Sequence, residues 1–242
     1  NYKGDGGTSR MKKIRILILS FALVLCSACS SSGQKPDAQQ MQTFFTAINR
    51  LMEAKTLSTN GKLSSGNFRT SFQLWIDQEK SPMEAAVIAG GGTAQEVAFF
   101  LKDGKTYLNY MGTKSQSVAE NLGITKDTKL SFYNPFLDLN DEQKMEMFDS
   151  VSIQGNEYTF KISKDKLSSL LDSFGSITLS RADLKAVVED GQIKSLSFDI
   201  IGSLSMGKAS SSVSGTLELN DIQINEPLNI PWPSDLNSWP KQ

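Results

Sequence analysis

The 242-residue chain has no histidine and two cysteines, Cys26 and Cys29. Without imidazole it lacks the commonest general acid–base and the commonest metal ligand. Ser-His-Asp, Cys-His, zinc-hydrolase and haem-histidine chemistries are therefore excluded, leaving carboxylate, lysine, tyrosine or serine–lysine chemistry. Long apolar runs are also missing. The most apolar stretch, Ile16 to Leu25, is ten residues long and contains Ser20. A helix needs roughly 20 apolar residues to cross a bilayer, so this run is too short to be a permanent span.

What is present around that run has the layout of a secretory signal: Met11-Lys12-Lys13-Ile14-Arg15 as a basic start, the apolar stretch, then small Ser27 and Ala28 before Cys29. A small residue directly before a cysteine at this place resembles the bacterial lipoprotein signal. The resemblance implies cleavage between Ala28 and Cys29 and a diacylglyceryl group on Cys29. Cys26 departs from the pattern, standing where an aliphatic or small residue is usual. The serine-rich SSSGQKPD that follows suits a flexible tether, residues 29–37. Two acyl chains on one cysteine would hold stably, at about 0.8 kcal/mol per buried CH2. The first ten residues, NYKGDGGTSR, read as an untranslated leader: Gly6-Gly7 can be encoded by a purine-rich ribosome-binding sequence three codons before Met11. Residues 1–10 (leader) and 11–28 (signal) are accordingly set apart from the fold.

The mature chain expected, Cys29 to Gln242, has 214 residues with 20 Lys and Arg against 25 Asp and Glu, a net charge of −5. That balance argues against nucleic acid as a partner. With its single cysteine lipidated, it has no intrachain disulfide and no thiolate metal cage. No cofactor is expected. Lysine outnumbers arginine 17 to 3 in this part, the pattern of an AT-rich genome, which points to a Gram-positive host and an extracytoplasmic protein anchored to its membrane.

Residues 38–242 read as a single β-rich domain. Met41, Phe44, Phe45, Ile48, Leu51 and Met52 make one apolar helical stripe, with Asp37 as its cap. Period-two alternation then dominates. Phe68, Thr70, Phe72, Leu74 and Ile76 share one face of NFRTSFQLWI. Hairpins are expected about Asp103-Gly104, Gly155-Asn156 and Asp190-Gly191, and TLSTNGKLS, PMEAAVIA and SVSGTLELNDIQI complete nine or ten strands of an antiparallel meander. Helical spacing interrupts it in KDKLSSLLDSFG and NDEQKMEMFD, and SVAENLG has room for a helical turn. Four prolines preclude regular structure in EPLNIPWPSDLNSWPKQ, leaving an extended strap over the sheet edge.

The chemical motifs reduce to structure. Ser-x-x-Lys occurs at Ser32/Lys35, Ser163/Lys166 and Ser205/Lys208, against roughly two expected by chance, and Ser163 reads as a helix cap. The glycine-rich AGGGTAQ lacks the lysine and spacing of a phosphate loop, and DLNDEQKMEMFD has Gln143 where a calcium loop needs glycine. The chain is therefore not expected to be an enzyme. The informative feature is two-sided apolarity. Val97, Phe99 and Leu101 share one face of their strand while Ala98 and Phe100 make the other apolar too. A half-exposed sheet alternates more cleanly. Either helices and straps cover the second face, or a cavity for an apolar ligand forms there.

The order of elements (lipidated cysteine, tether, amphipathic helix, long meander with helical insertions, proline-rich end) resembles the LolA/LppX-like lipoproteins. Their closing segments are similar to IPWPSDL here. The resemblance implies an α+β, mainly antiparallel fold: a curved sheet or incomplete β-barrel covered by a few helices. It also implies a lipid or other apolar ligand in the concavity, for which Phe72, Leu74, Phe99, Leu101, Phe198 and Ile200 are the candidate lining. The alternative is a solid-core module that meets an envelope protein through an exposed apolar patch, with Trp232 and Trp239 as anchors.

Overall fold

The computed structural model describes residues 36–91, 94–130, 134–171, 176–206 and 208–242. The expected leader, signal, Ala28–Cys29 cleavage site and most of the tether lie outside the described residues. The elements in chain order are α1 (Gln42–Met52), β1 (Thr56–Ser65), β2 (Phe68–Asp77), β3 (Glu84–Gly91), β4 (Ala94–Lys102), β5 (Lys105–Tyr110) and β6 (Thr113–Val118), then a 3-10 turn (Ala119–Leu122). There follow α2 (Asp141–Glu146), β7 (Phe148–Gln154), β8 (Glu157–Ile162), α3 (Lys164–Leu171), β9 (Ser176–Glu189), β10 (Gln192–Met206), β11 (Ala209–Ile224) and a last 3-10 turn (Leu236–Ser238). The strands form one antiparallel sheet in the order β6-β5-β4-β3-β2-β1-β11-β10-β9-β8-β7. It is not closed, and β6 and β7 are its edges.

The hairpin turns follow from local chemistry. Asp103-Gly104 and Asp190-Gly191 both have positive φ at their two residues, the backbone that a two-residue turn needs to match strand twist. The described residues form eleven strands against the nine or ten expected; the strand not foreseen is β6, whose sequence TKSQSV carries no apolar alternation. The turn before it puts Met111 at φ 53, a conformation uncommon for a side-chain-bearing residue and unadvertised by the sequence.

The described residues divide into two compact units, 36–52 with those from 134 to 217, and those from 53 to 130 with 218–242. In the first, α1 lies on β9 and β10. Asp37 and Gln40 bond reciprocally just before the helix, backbone N–H to side-chain oxygen in each direction. The apolar stripe of α1 is buried. Phe44 meets Phe160 at 4.4 Å with the rings tilted, Phe160 stacks at 4.9 Å on Phe148, and Phe136 closes the cluster against Phe45 at 5.2 Å. Arg50 donates to the carbonyl of Gly191 at 2.9 Å, pinning the helix end to the β9–β10 turn. Asn140 caps α2 in a reciprocal box with Gln143, and the Ser163 hydroxyl accepts from the Lys166 amide at the start of α3.

Candidate functional site

The second unit holds most of the candidate lining, and its two sheet faces differ. Strand register decides which residues share a face. Leu74 stands opposite Val87, Val87 opposite Phe99, and Phe99 opposite Leu108. The flanking rows are Gly61, Phe72, Ala89, Val97, Tyr110 and Leu57, Ile76, Ala85, Leu101, Thr106. This Phe72 face carries no charged side chain from β1 to β6; β6 borders it with Thr113, Ser115 and Ser117. The opposite, Trp75 face carries Trp75, Ala86, Phe100 and Tyr107 in one row.

The Trp75 face is closed. The proline-rich end lays Ile230, Trp232, Leu236 and Trp239 on Ala86, Ala98, Phe100 and Tyr107. Trp239 meets Tyr107 and Phe100 edge-on, at 5.9 and 6.2 Å between ring centroids, with the Lys114 ammonium 5.1 Å from its ring. Such edge-to-face pairs and cation–π contacts each favour a single placement of the indole. Lys114 also pairs with Asp235 at 2.8 Å, and this ammonium above all holds the Asp235 carboxyl below its usual range. The strap ends on the sheet edge. The Gln116 amide donates to the carbonyl of Pro240, its carbonyl accepts from Gln242, and its side chain donates to the carbonyl of Trp239. Lys241 thereby forms a parallel bridge with β6, covering backbone groups that an edge strand otherwise leaves unpaired. Burial pushes the Tyr107 phenol above its usual range.

Toward the β1–β2 turn the Trp75 face dips, because Ser71 and Gly90 are small. The depression, about 370 Å3, has a mixed lining, with Asn60, Lys62, Gln73 and Asn220 beside Phe72 and Ile88. Gln73 donates to Asn60, and Asn60 to Asp221.

The Phe72 face is graded instead of closed. Ile76, Leu101 and Thr106 at one end are buried; Phe72, Leu74, Val87, Val97 and Phe99 in the middle are half-buried; Leu108, Tyr110 and Phe68 at the other end are exposed. Phe72 rests over Gly61, with its ring atoms 2.1 to 2.5 Å from where a Cβ at 61 would stand. The missing side chain is what lets the ring lie there, the packing that rescues a glycine inside a strand.

Of the sequence-derived lining, the structure brings Phe72, Leu74, Phe99 and Leu101 onto this one face. Phe198 and Ile200 share a face of β10 in the first unit, in the rows of Leu184 and Ala182, and are buried in its core. Cys29 and Ala28 lie outside the described residues. Val87, Leu108 and Tyr110 belong to the face and were not among the candidates. The signal for the last two was in the sequence: counting outward from Asp103-Gly104 pairs Phe99 with Leu108 and Val97 with Tyr110. Among the described residues, no three carboxylate or thiol side chains group so as to hold a metal ion, and no helix is long and apolar enough to cross a membrane.

No family model and no curated protein matches the sequence. Among solved structures the chain is similar to the Mycobacterium tuberculosis lipoprotein LppX, at 12% identity and TM-score 0.44, over 81% of this chain and 100% of that one. It is similar to LprF from Mycobacterium bovis at 12% identity and TM-score 0.43, over 82% and 99%. A LolA superfamily protein from Nitrosomonas europaea matches at 9% identity and TM-score 0.29, over 80% and 96%. With all three scores below 0.5, what this chain binds is read from its own residues.

Proposed function

We propose that the chain is a non-enzymatic extracytoplasmic lipoprotein, tethered to the membrane by lipid on Cys29, that holds an acyl or other apolar chain on the Phe72 face. One observation carries this reading. Phe72, Leu74, Val87, Val97 and Phe99 form a continuous charge-free surface that remains half-open, while the other face of the same strands is sealed by its own strap. An exposed apolar sheet face is costly in water, so one that persists beside a sealed one has an occupant. Leu101 forms the floor at the buried end. Phe198 and Ile200 serve the core of the first unit. The missing histidine supports a binding role over catalysis.

Lipid extraction and mass spectrometry of the full chain, purified from bacteria, test the reading. A non-covalent lipid in fixed proportion to protein is expected, and Phe99→Asp, which sets a carboxylate in the middle of the face, loses it while the fold is kept. A chain with no extractable lipid, even after incubation with host lipid extract, refutes it. The bet then moves to a protein partner, which Val118 and Leu122 favour: both are large apolar side chains exposed at the β6 edge.

A further inference from the structure

The meander places the β1–β2 and β5–β6 turns, with the adjoining ends of β3 and β4, at one end of the second unit, as the row Gly61, Phe72, Ala89, Val97, Tyr110, Thr113 requires. The open end of the Phe72 face is that same end. There Phe68 is 58% exposed, Tyr110 55%, Met111 48% and Leu108 40%, whereas Ile76 and Leu101 at the far end are 4% and 2% exposed. Phe68 lies four residues beyond Phe72 on β2, so the β1–β2 hairpin carries its ring about 13 Å past that row. Two turn regions thus present Phe, Tyr and Met outward, side chains that a soluble surface ordinarily keeps few of.

Charge completes the pattern. Hairpin β1–β2, from Thr56 to Asp77, contains Lys62, which pairs with Glu218 at 4.0 Å, and Arg69, with Asp77 as its one acid at the end away from the turn; hairpin β5–β6, from Lys105 to Val118, contains Lys105 and Lys114 and no acid. The chain as a whole has 26 acidic residues against 25 basic, so these two segments depart from its balance. Arg69 adjoins Phe68, and Lys114 follows Met111 by three residues while also holding Asp235. Aromatic and thioether tips flanked by cations match a bilayer's interface, where amphipathic rings sit at headgroup level and basic side chains meet anionic lipid. A protein partner would call for a shaped apolar patch; projecting tips on separate hairpins suit a fluid surface better.

We infer that Phe68, Tyr110 and Met111 form a membrane-inserting mouth through which the Phe72 face exchanges its apolar chain with an anionic bilayer. The inference rests on the ligand face proposed above, since the mouth opens onto that face. On its way to the buried floor an apolar chain entering there passes Leu108, Phe72, Val97, Phe99, Val87 and Leu74, and this face carries no charged side chain from β1 to β6.

Site-directed spin labelling of the full chain tests it. In a Cys26→Ser/Cys29→Ser background, a nitroxide is placed at Phe68→Cys, Met111→Cys or Asp103→Cys, the last at the opposite end of β5. Each is mixed with vesicles of phosphatidylcholine and phosphatidylglycerol. Labels at 68 and 111 should collide several-fold more with oxygen, relative to a water-soluble nickel chelate, than the label at 103. Omitting phosphatidylglycerol should shrink that difference. Equal, water-like collision ratios at all three positions overturn the inference. Bound lipid, extracted from the same preparations, separates the two ideas. Water-exposed tips on a lipid-loaded chain refute the mouth alone, while membrane-buried tips on a chain that never carries lipid refute the ligand face and leave the membrane contact standing.

Discussion

Trp239→Ala measures how far the closed Trp75 face depends on one side chain. Trp239 is 4% exposed, lies edge-on to Tyr107 and Phe100, and has the Lys114 ammonium over its ring. Truncating a buried aromatic of this size costs about 3–5 kcal/mol, the lost transfer energy and the cavity together. The strap can leave the sheet without unfolding the strands, so the first consequence is local: its free energy of opening falls by that amount. Gln116 reports the event, because its amide donates to the Pro240 carbonyl at 2.7 Å and has no strand on that side once the strap lifts. A loss of about 3 kcal/mol lowers hydrogen-exchange protection at Gln116 on the order of a hundredfold, given tenfold per 1.4 kcal/mol. Amides of β9 and β10, in the first unit, should change far less. A Gln116 amide whose protection moves by less than about threefold would show that the strap is held by other contacts, and the reasoning from indole burial would be wrong.

Three further outcomes are expected. Gly61→Ala places a methyl against the Phe72 ring; by the usual cost of overpacking it should lower stability by about 1–3 kcal/mol in urea titration and reduce bound lipid, since the displaced ring enters the ligand face. Glu84→Gln should raise stability at neutral pH. Burial, offset in part by Lys80 and reinforced by Asp103 and Asp77, holds the Glu84 carboxyl above 4.5 in the folded chain. The stability this group contributes is therefore full below 4.5 and lost as pH rises through the folded value; the variant and parent should converge near pH 4, and the gap stays small because water screens the site. Asp235 behaves in the opposite sense. Its carboxyl is lowered below 3.8 chiefly by Lys114, so the strap's ionic latch is complete above that value and weakens as pH falls through the lowered one; Gln116 protection followed from pH 5 downward should drop in the parent and stay flat in Asp235→Asn.

The legible parts of the fold are those with a local cause. Period-two alternation marked β2, the apolar stripe marked α1, and Asp-Gly pairs marked two hairpins, because side-chain period and turn backbone are properties of neighbouring residues. Strand β6 was illegible for the complementary reason. Strand β6 is held by backbone pairing, to β5 on one side and to the chain's last residues on the other, so TKSQSV needs no apolar alternation, and a turn through Met111 carries no glycine–asparagine signature at its first residue.

Within the candidate site, two-sided apolarity in β4 announced that both faces of the sheet would need an answer, and that conclusion needed composition alone. Which answer each face received did not follow from it. Phe99 and Phe100 are chemically identical neighbours. One is sealed under Trp232 and Trp239, 132 and 139 residues further along the chain but adjacent in space; the other looks onto a half-open surface. Likewise Phe72 and Phe198 were equal candidates by pattern, yet one lies over a glycine at the ligand face and the other is packed in the core of the first unit.

By itself, then, the amino-acid sequence determined the element types, the hairpin registers next to their turns and the exclusion of imidazole chemistry, all of which depend on residue identity and spacing over a few positions. Tertiary structure alone decided that the last residues return to cap β6, that the Trp75 face is the sealed one, and that Phe68, Tyr110 and Met111 gather at the open end of the Phe72 face. The first two depend on contacts between segments more than a hundred residues apart, such as Gln116 with Pro240 and Gln242; the third depends on the pairing of successive hairpins. Nothing in a local window encodes which distant apolar segment will bury which face, because burial is non-directional and any apolar partner lowers the same hydration cost; shape and the paths of the connecting chain choose among them.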